Sequence, residues 1–114
     1  MEIEVDQRSS SQTVLTPIGR IDAETSQAFR QAIQELADRK AFRVVIDLSA
    51  VEFMDSSGLS AMVSGMKALR NAGGNLAICN ANPQIKTALS LTMLDKVFTI
   101  CESVDEAFET LQAE

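Results

Sequence analysis

The order of apolar and polar positions along the chain predicts strands alternating with helices. Residues 2–6 read Glu2-Ile3-Glu4-Val5-Asp6, a strict alternation that puts Ile3 and Val5 on one face of a half-buried strand. Ser9-Ser10-Ser11 is a turn, and Thr13 to Ile21 is a second β run. Pro17 within that run lacks a backbone donor and calls for an edge or a bulge. The short connection implies that the two runs pair antiparallel. Asp22 then opens a helix as its N-cap, with Glu24 in the first turn and Arg39-Lys40 at the far end. Phe29, Ala32, Ile33 and Leu36 fall at i, i+3, i+4 and i+7 and form its apolar stripe.

Phe42 to Leu48 contains the continuous run Val44-Val45-Ile46, the mark of a central strand covered on both faces. Val51-Glu52-Phe53-Met54 leads on to Asp55-Ser56-Ser57-Gly58. A helix follows with Leu59, Met62, Val63 and Met66 inward, ending at Asn71-Ala72-Gly73-Gly74. The spacing of Met62 and Met66 assigns them to the core rather than to a binding surface. Leu76 to Cys79 is the next buried strand, and Asn82-Pro83 starts a third helix with Pro at its first position. Val97 to Ile100 is the last strand. Ser103-Val104-Asp105-Glu106 is a capping box opening a C-terminal helix. The expected fold class is α/β, in the order ββαβαβαβα: a small mixed β-sheet with about four α-helices, its later strands parallel through right-handed crossovers. With 114 residues the chain fits one domain spanning 1–114, large enough to bury a core without staples.

Composition narrows the chemistry. Five Phe and no Trp or Tyr leave the core to aliphatic side chains. A net charge of -6, with no Lys/Arg cluster, argues against nucleic acid or an anionic membrane as partner. The N-terminus lacks the features of a signal peptide and no apolar run approaches a membrane span, so a cytoplasmic protein is expected. The chain has no His, which excludes a Ser-His-Asp or Cys-His apparatus, and the common zinc patterns are missing. No metal, cofactor or catalytic residue is expected. Cys79 and Cys101 each end an apolar run and read as free, buried thiols.

Chemistry concentrates at residues 55–58. In an open parallel sheet, the loops after the carboxyl ends of strands gather function, and the 80–82 loop should share that rim. Asp55 or Ser56 can cap the following helix, Ser57 falls in its first turn, and Gly58 keeps the backbone uncrowded. First-turn amides lack intrahelical partners and the helix dipole is positive there, so the fold tolerates a phosphate on Ser57. The same residues are also ordinary capping residues, and local pattern alone does not separate the two readings.

Phe53-Met54-Asp55-Ser56-Ser57-Gly58-Leu59 resembles the signature of STAS-domain anti-sigma factor antagonists. Val44-Val45-Ile46-Asp47-Leu48-Ser49 resembles the strand before it, and Gly19-Arg20-Ile21-Asp22 the entry to the first helix. The resemblance runs along nearly the whole chain and implies a STAS-like fold with partner switching. On that pattern, the unphosphorylated antagonist binds an anti-sigma factor that is also a serine kinase, and a sigma factor is released. The kinase phosphorylates the second serine of the signature, here Ser57, and a metal-dependent serine phosphatase restores the antagonist. Members are often monomeric when free. Asp22 matches an acidic residue near the acceptor, as a contact to the kinase or as a helix cap. Asp55, Ser56 and Gly58 would shape the acceptor loop and bind the partner, and Asp47 would hydrogen-bond near its strand end. Ser60, Ser64 and Lys67 form a docking face or a solvated surface.

The alternatives are a STAS interaction module in another kinase/phosphatase pathway, a small nucleotide-binding enzyme, and an aspartyl-phosphate receiver using Asp47 or Asp55. The enzyme lacks both His and a Gly-x-x-x-x-Gly-Lys loop. The receiver lacks a paired acidic metal site near the start of the chain.

Overall fold

The computed structural model describes residues 1–113. Its elements are β1 (Glu2–Gln7), β2 (Gln12–Ile21), α1 (Ser26–Asp38), β3 (Arg43–Asp47), β4 (Val51–Met54), α2 (Ser56–Asn71), β5 (Asn75–Cys79), α3 (Pro83–Leu91), a 3-10 turn (Leu94–Lys96), β6 (Thr99–Cys101) and α4 (Val104–Ala113). The order is therefore ββαββαβαβα, with one strand more than the pattern predicts. The extra strand is β4. It has only four residues, too few for a period to show, and no helix separates it from β3.

β2 explains how both fit. Its ten residues pair β3 in parallel through Gln12 to Leu15, then pair β4 in parallel through Gly19 to Ile21. Residues 48–50 carry the chain from β3 to β4, closed by the Val51 N–H bonding Leu48 O at 3.0 Å. Pro17 falls between the two sets of pairs, where the neighbour of β2 changes, and not at a sheet edge. The bulge comes two residues later, at Gly19/Arg20. β1 is antiparallel to β2, and the remaining order β2-β3-β5-β6 is parallel.

Two apolar clusters sandwich the sheet. On one side α1, α2 and α3 lay Phe29, Ile33, Met62, Leu69, Ile85 and Leu89 over Leu15, Val44, Ile46, Leu76 and Ile78. On the other, Ala107, Phe108 and Leu111 of α4 cover Val14, Val45, Ala77 and the two cysteines. Val44, Val45 and Ile46 are all fully buried, as a strand covered on both faces requires. Met62 and Met66 are buried in the core. Gly73, at φ +92, ends α2 in a Schellman arrangement: its N–H bonds Arg70 O and the Gly74 N–H bonds Leu69 O.

Three details differ from the sequence pattern. Val5 is exposed, because β1 lies at the sheet edge, and only Ile3 of that pair packs on the core. The last strand begins at Thr99, since the 3-10 turn uses residues 94–96 and leaves Val97 exposed. Asp22 does not cap α1: Thr25 is the N-cap residue, and α1 has no acidic residue in its first turn. Asp22 instead starts the preceding turn, its Oδ1 accepting from the Glu24 and Thr25 N–H groups at 3.0 and 3.3 Å. This self-bonding is what a short carboxylate favours in a turn.

Cys79 and Cys101 are free and buried, on directly paired positions of β5 and β6. Burial, reinforced by the nearby Asp47 and Cys101, pushes the Cys79 thiol up to about 12. Folded Cys79 should thus resist alkylation at pH 8 and react only on unfolding, as pulsed labelling with iodoacetamide would show. The folded state holds this proton more tightly, so the contribution is complete below the ordinary thiol value and is lost as pH rises towards about 12.

Candidate functional site

β4 delivers the chain to the N-terminus of α2. The Asp55 N–H bonds Ile21 O at 3.1 Å, which ties the ends of β4 and β2 together and sets the Asp22 turn beside residues 55–58. Asp55, in extended conformation, is the N-cap of α2. Its Oδ1 accepts from the Ser57 N–H at 2.9 Å and the Gly58 N–H at 3.3 Å. The capping choice left open between Asp55 and Ser56 thus falls to Asp55, and Ser56 becomes the first helical residue. Ser56 is exposed and Ser57 partly exposed. Among the described residues the Ser57 hydroxyl forms no hydrogen bond, so its oxygen is uncommitted.

Gly58 is buried and presents no side chain to a partner. Its place reflects close approach. A Cβ there would meet Met54 Cγ at 2.5 Å, Ile21 Cγ2 at 2.8 Å and the Ile21 carbonyl oxygen at 3.1 Å. Gly58→Ala should therefore cost about 1–3 kcal/mol through overpacking, read as a lowered urea midpoint with an unchanged slope.

Features outside the sequence reading complete the rim. Arg20, paired with Phe53 across β2 and β4, stacks its guanidinium 4.4 Å from the Phe53 ring centroid. This places a cation and an aromatic ring, both frequent in binding surfaces, on the strands that lead into Asp22 and Asp55. The first turn of α3 grips β4. Asn82 Nδ2 donates to Val51 O at 3.3 Å and Glu52 O at 3.0 Å, while its Oδ1 caps the Ile85 N–H at 2.9 Å. Gln84 Nε2 donates to Met54 O at 2.9 Å, and its Oε1 accepts from the Met54 N–H at 3.0 Å. Asn82-Pro83 signalled the cap and the 80–82 loop was placed on this rim, but nothing signalled the bonds from Asn82 and Gln84 to β4. Neither set could be derived without recognising β4 as a strand.

Asp47 has the hydrogen-bonding role expected of it, with Oδ1 accepting from the Ser49 N–H and from Asn80 Nδ2, both at 3.0 Å. Ser60, Ser64 and Lys67 are exposed on α2. A cleft of about 470 Å³ lined by Ser11, Phe42, Arg43, Gly73, Gly74, Asn75 and Leu111 lies at the start of β3 and β5, the opposite end of these strands from residue 57. Among the described residues no cluster of three or more His, Cys, Asp or Glu could hold a metal ion, and no helix is long and apolar enough to cross a membrane.

The STAS domain family model matches residues 2–107. The chain belongs to the STAS domain family. This STAS domain is 30% identical over 95 residues to the anti-sigma F factor antagonist of Paenibacillus polymyxa, an alignment covering 82% of the chain and 81% of that relative. It superposes on the crystal structure of an anti-sigma factor antagonist from Mycobacterium paratuberculosis with a TM-score of 0.87 at 30% identity, covering 97% of the chain and 93% of that structure. The Bacillus cell fate determinant SpoIIAA in its phosphorylated form shares the fold at 18% identity, with a TM-score of 0.73 and coverage of 96% and 98%. The mixed sheet and four helices are those of the STAS fold.

Proposed function

We propose that this STAS domain is an anti-sigma factor antagonist whose binding is switched off by phosphorylation of Ser57. It acts as a binding protein rather than an enzyme, in keeping with relatives that are named for antagonism. Unphosphorylated, it binds an anti-sigma factor with serine kinase activity and so frees a sigma factor. A metal-dependent serine phosphatase returns it to that state. The exchange belongs in the cytoplasm, with the antagonist a monomer when free.

The observation that carries this reading is the partly exposed, uncommitted hydroxyl of Ser57 at the second residue of α2, beside a cap that is already satisfied. The dipole at the start of α2 favours a negative group. Yet the Ser57 and Gly58 amides are already bound to Asp55, so a phosphate would find those two donors taken and would chiefly add charge to the surface. The added charge of about -1.5 to -2 would sit near Asp22 and Asp55 on the rim that the partner reads. Asp55 builds the acceptor turn from within, Ser56 and Asp22 present its outer face, and Gly58 lets α2 close onto Ile21 and Met54.

Affinity capture from the source cells tests this function. Unphosphorylated protein should retain an ATP-binding serine kinase that also binds a sigma factor. A kinase with no sigma factor would assign the domain to another partner-switching pathway, and capture of no kinase would overturn the proposal.

A further inference from the structure

We infer that Gln84 is a positioning residue, whose side-chain amide serves as a substitute strand on the open edge of β4 and holds the acceptor turn in register. The inference rests on reading Ser57 as the phosphate acceptor.

β4 has one strand neighbour, β2, and only four residues. A strand that short, paired on one side, holds its end weakly. Its last residue, Met54, immediately precedes the cap Asp55. Gln84 offers Met54 both a donor and an acceptor, which is what a neighbouring strand would offer, at 2.9 and 3.0 Å from thirty residues away in sequence. Asn82 supplies two further donor bonds to Val51 O and Glu52 O and fixes the first turn of α3 through its own cap on Ile85. Gln84 is itself exposed, so it contributes little to the apolar core. Its two bonds fix the angle at which the chain leaves β4, and through Asp55 the direction of the Ser57 side chain. A short side chain could not bridge both groups, and an apolar one would satisfy neither.

The test compares the full chain with Gln84→Leu and with Phe108→Leu, a control that weakens the core on the α4 face. In Gln84→Leu the amides of Ser57 and Gly58 should exchange hydrogen about tenfold faster relative to Val45 of the central strand, by nuclear magnetic resonance. Phe108→Leu loosens the cluster that covers Val45 and should lower that ratio or leave it, not raise it. A ratio in Gln84→Leu no higher than in the wild-type protein would overturn the inference. A second readout uses the kinase retained by affinity capture and ATP. Gln84→Leu should lower kcat for transfer to Ser57 about tenfold with KM held within about twofold, since misplacement slows transfer while the docking surface stays intact. A raised KM with unchanged kcat would make Gln84 a docking residue and overturn the positioning role. If wild-type protein were never phosphorylated at Ser57, the proposed function would fail, while the exchange ratio would still decide whether Gln84 holds the turn.

Discussion

Ser57→Asp should weaken binding of the anti-sigma partner more than a hundredfold, while Ser57→Ala binds like the wild-type protein. The fold itself should tolerate both. Asp55 caps α2 through the backbone N–H groups of Ser57 and Gly58, which neither substitution removes. The Ser57 side chain lies at the surface and in no hydrogen bond among the described residues, so Ala loses little. Asp places a fixed carboxylate where the proposed phosphate would stand. At an interface that covers this rim, that charge must be desolvated beside Asp22 and Asp55, and a penalty of about 3 kcal/mol lowers affinity more than a hundredfold. Calorimetric titration with the captured kinase checks the pair of variants. Equal affinity of Ser57→Asp and Ser57→Ala would place the interface elsewhere.

Phe29→Ala should destabilise the protein by about 3–5 kcal/mol, the range for deleting a large buried aromatic side chain. Phe29 is fully buried in the cluster formed by α1, α2 and the sheet. Phe98 is the other buried ring of that cluster, and the chain has no Trp or Tyr to share the load. The smaller aliphatic neighbours, Ile33 on α1 and Met62 on α2 among them, are held by helices packed on the same face and cannot close a cavity of that size. Urea unfolding of wild type and variant measures the difference. A loss below about 1 kcal/mol would show that the core relaxes around the missing ring.

Much of this architecture was legible in the sequence because its signals are long or chemically distinct. The stripe Phe29, Ala32, Ile33 and Leu36 marked α1, and Val44-Val45-Ile46 marked the covered central strand. Asn82-Pro83 marked the start of α3, where Asn82 is the N-cap. Ser103 likewise accepts from the Glu106 N–H at 3.1 Å at the start of α4. What escaped was short or depended on distant partners. β4 lacks the length for a period, and its existence follows from the ten-residue β2 having a second half to pair. Asp22 looked like a helix cap because the local pattern cannot tell a cap from the turn just before it; Thr25, bonded to Arg20 O, takes the cap position. At the site, Asp55 and Ser57 were visible as a cap and a first-turn hydroxyl. Arg20 with Phe53, and Gln84 with Met54, were not, because each pair is created by the strand that the pattern did not reveal.

Ser57 is the proposed phosphate acceptor, and incubating the purified protein with the captured kinase, magnesium and ATP, then mapping the product by mass spectrometry, tests it. The expected result is a single phosphate per chain, on the peptide containing residues 55–58 and assigned to Ser57, with none added to Ser57→Ala. A phosphate on Ser56 or any other residue, or no phosphate from a kinase that binds the protein, would contradict it.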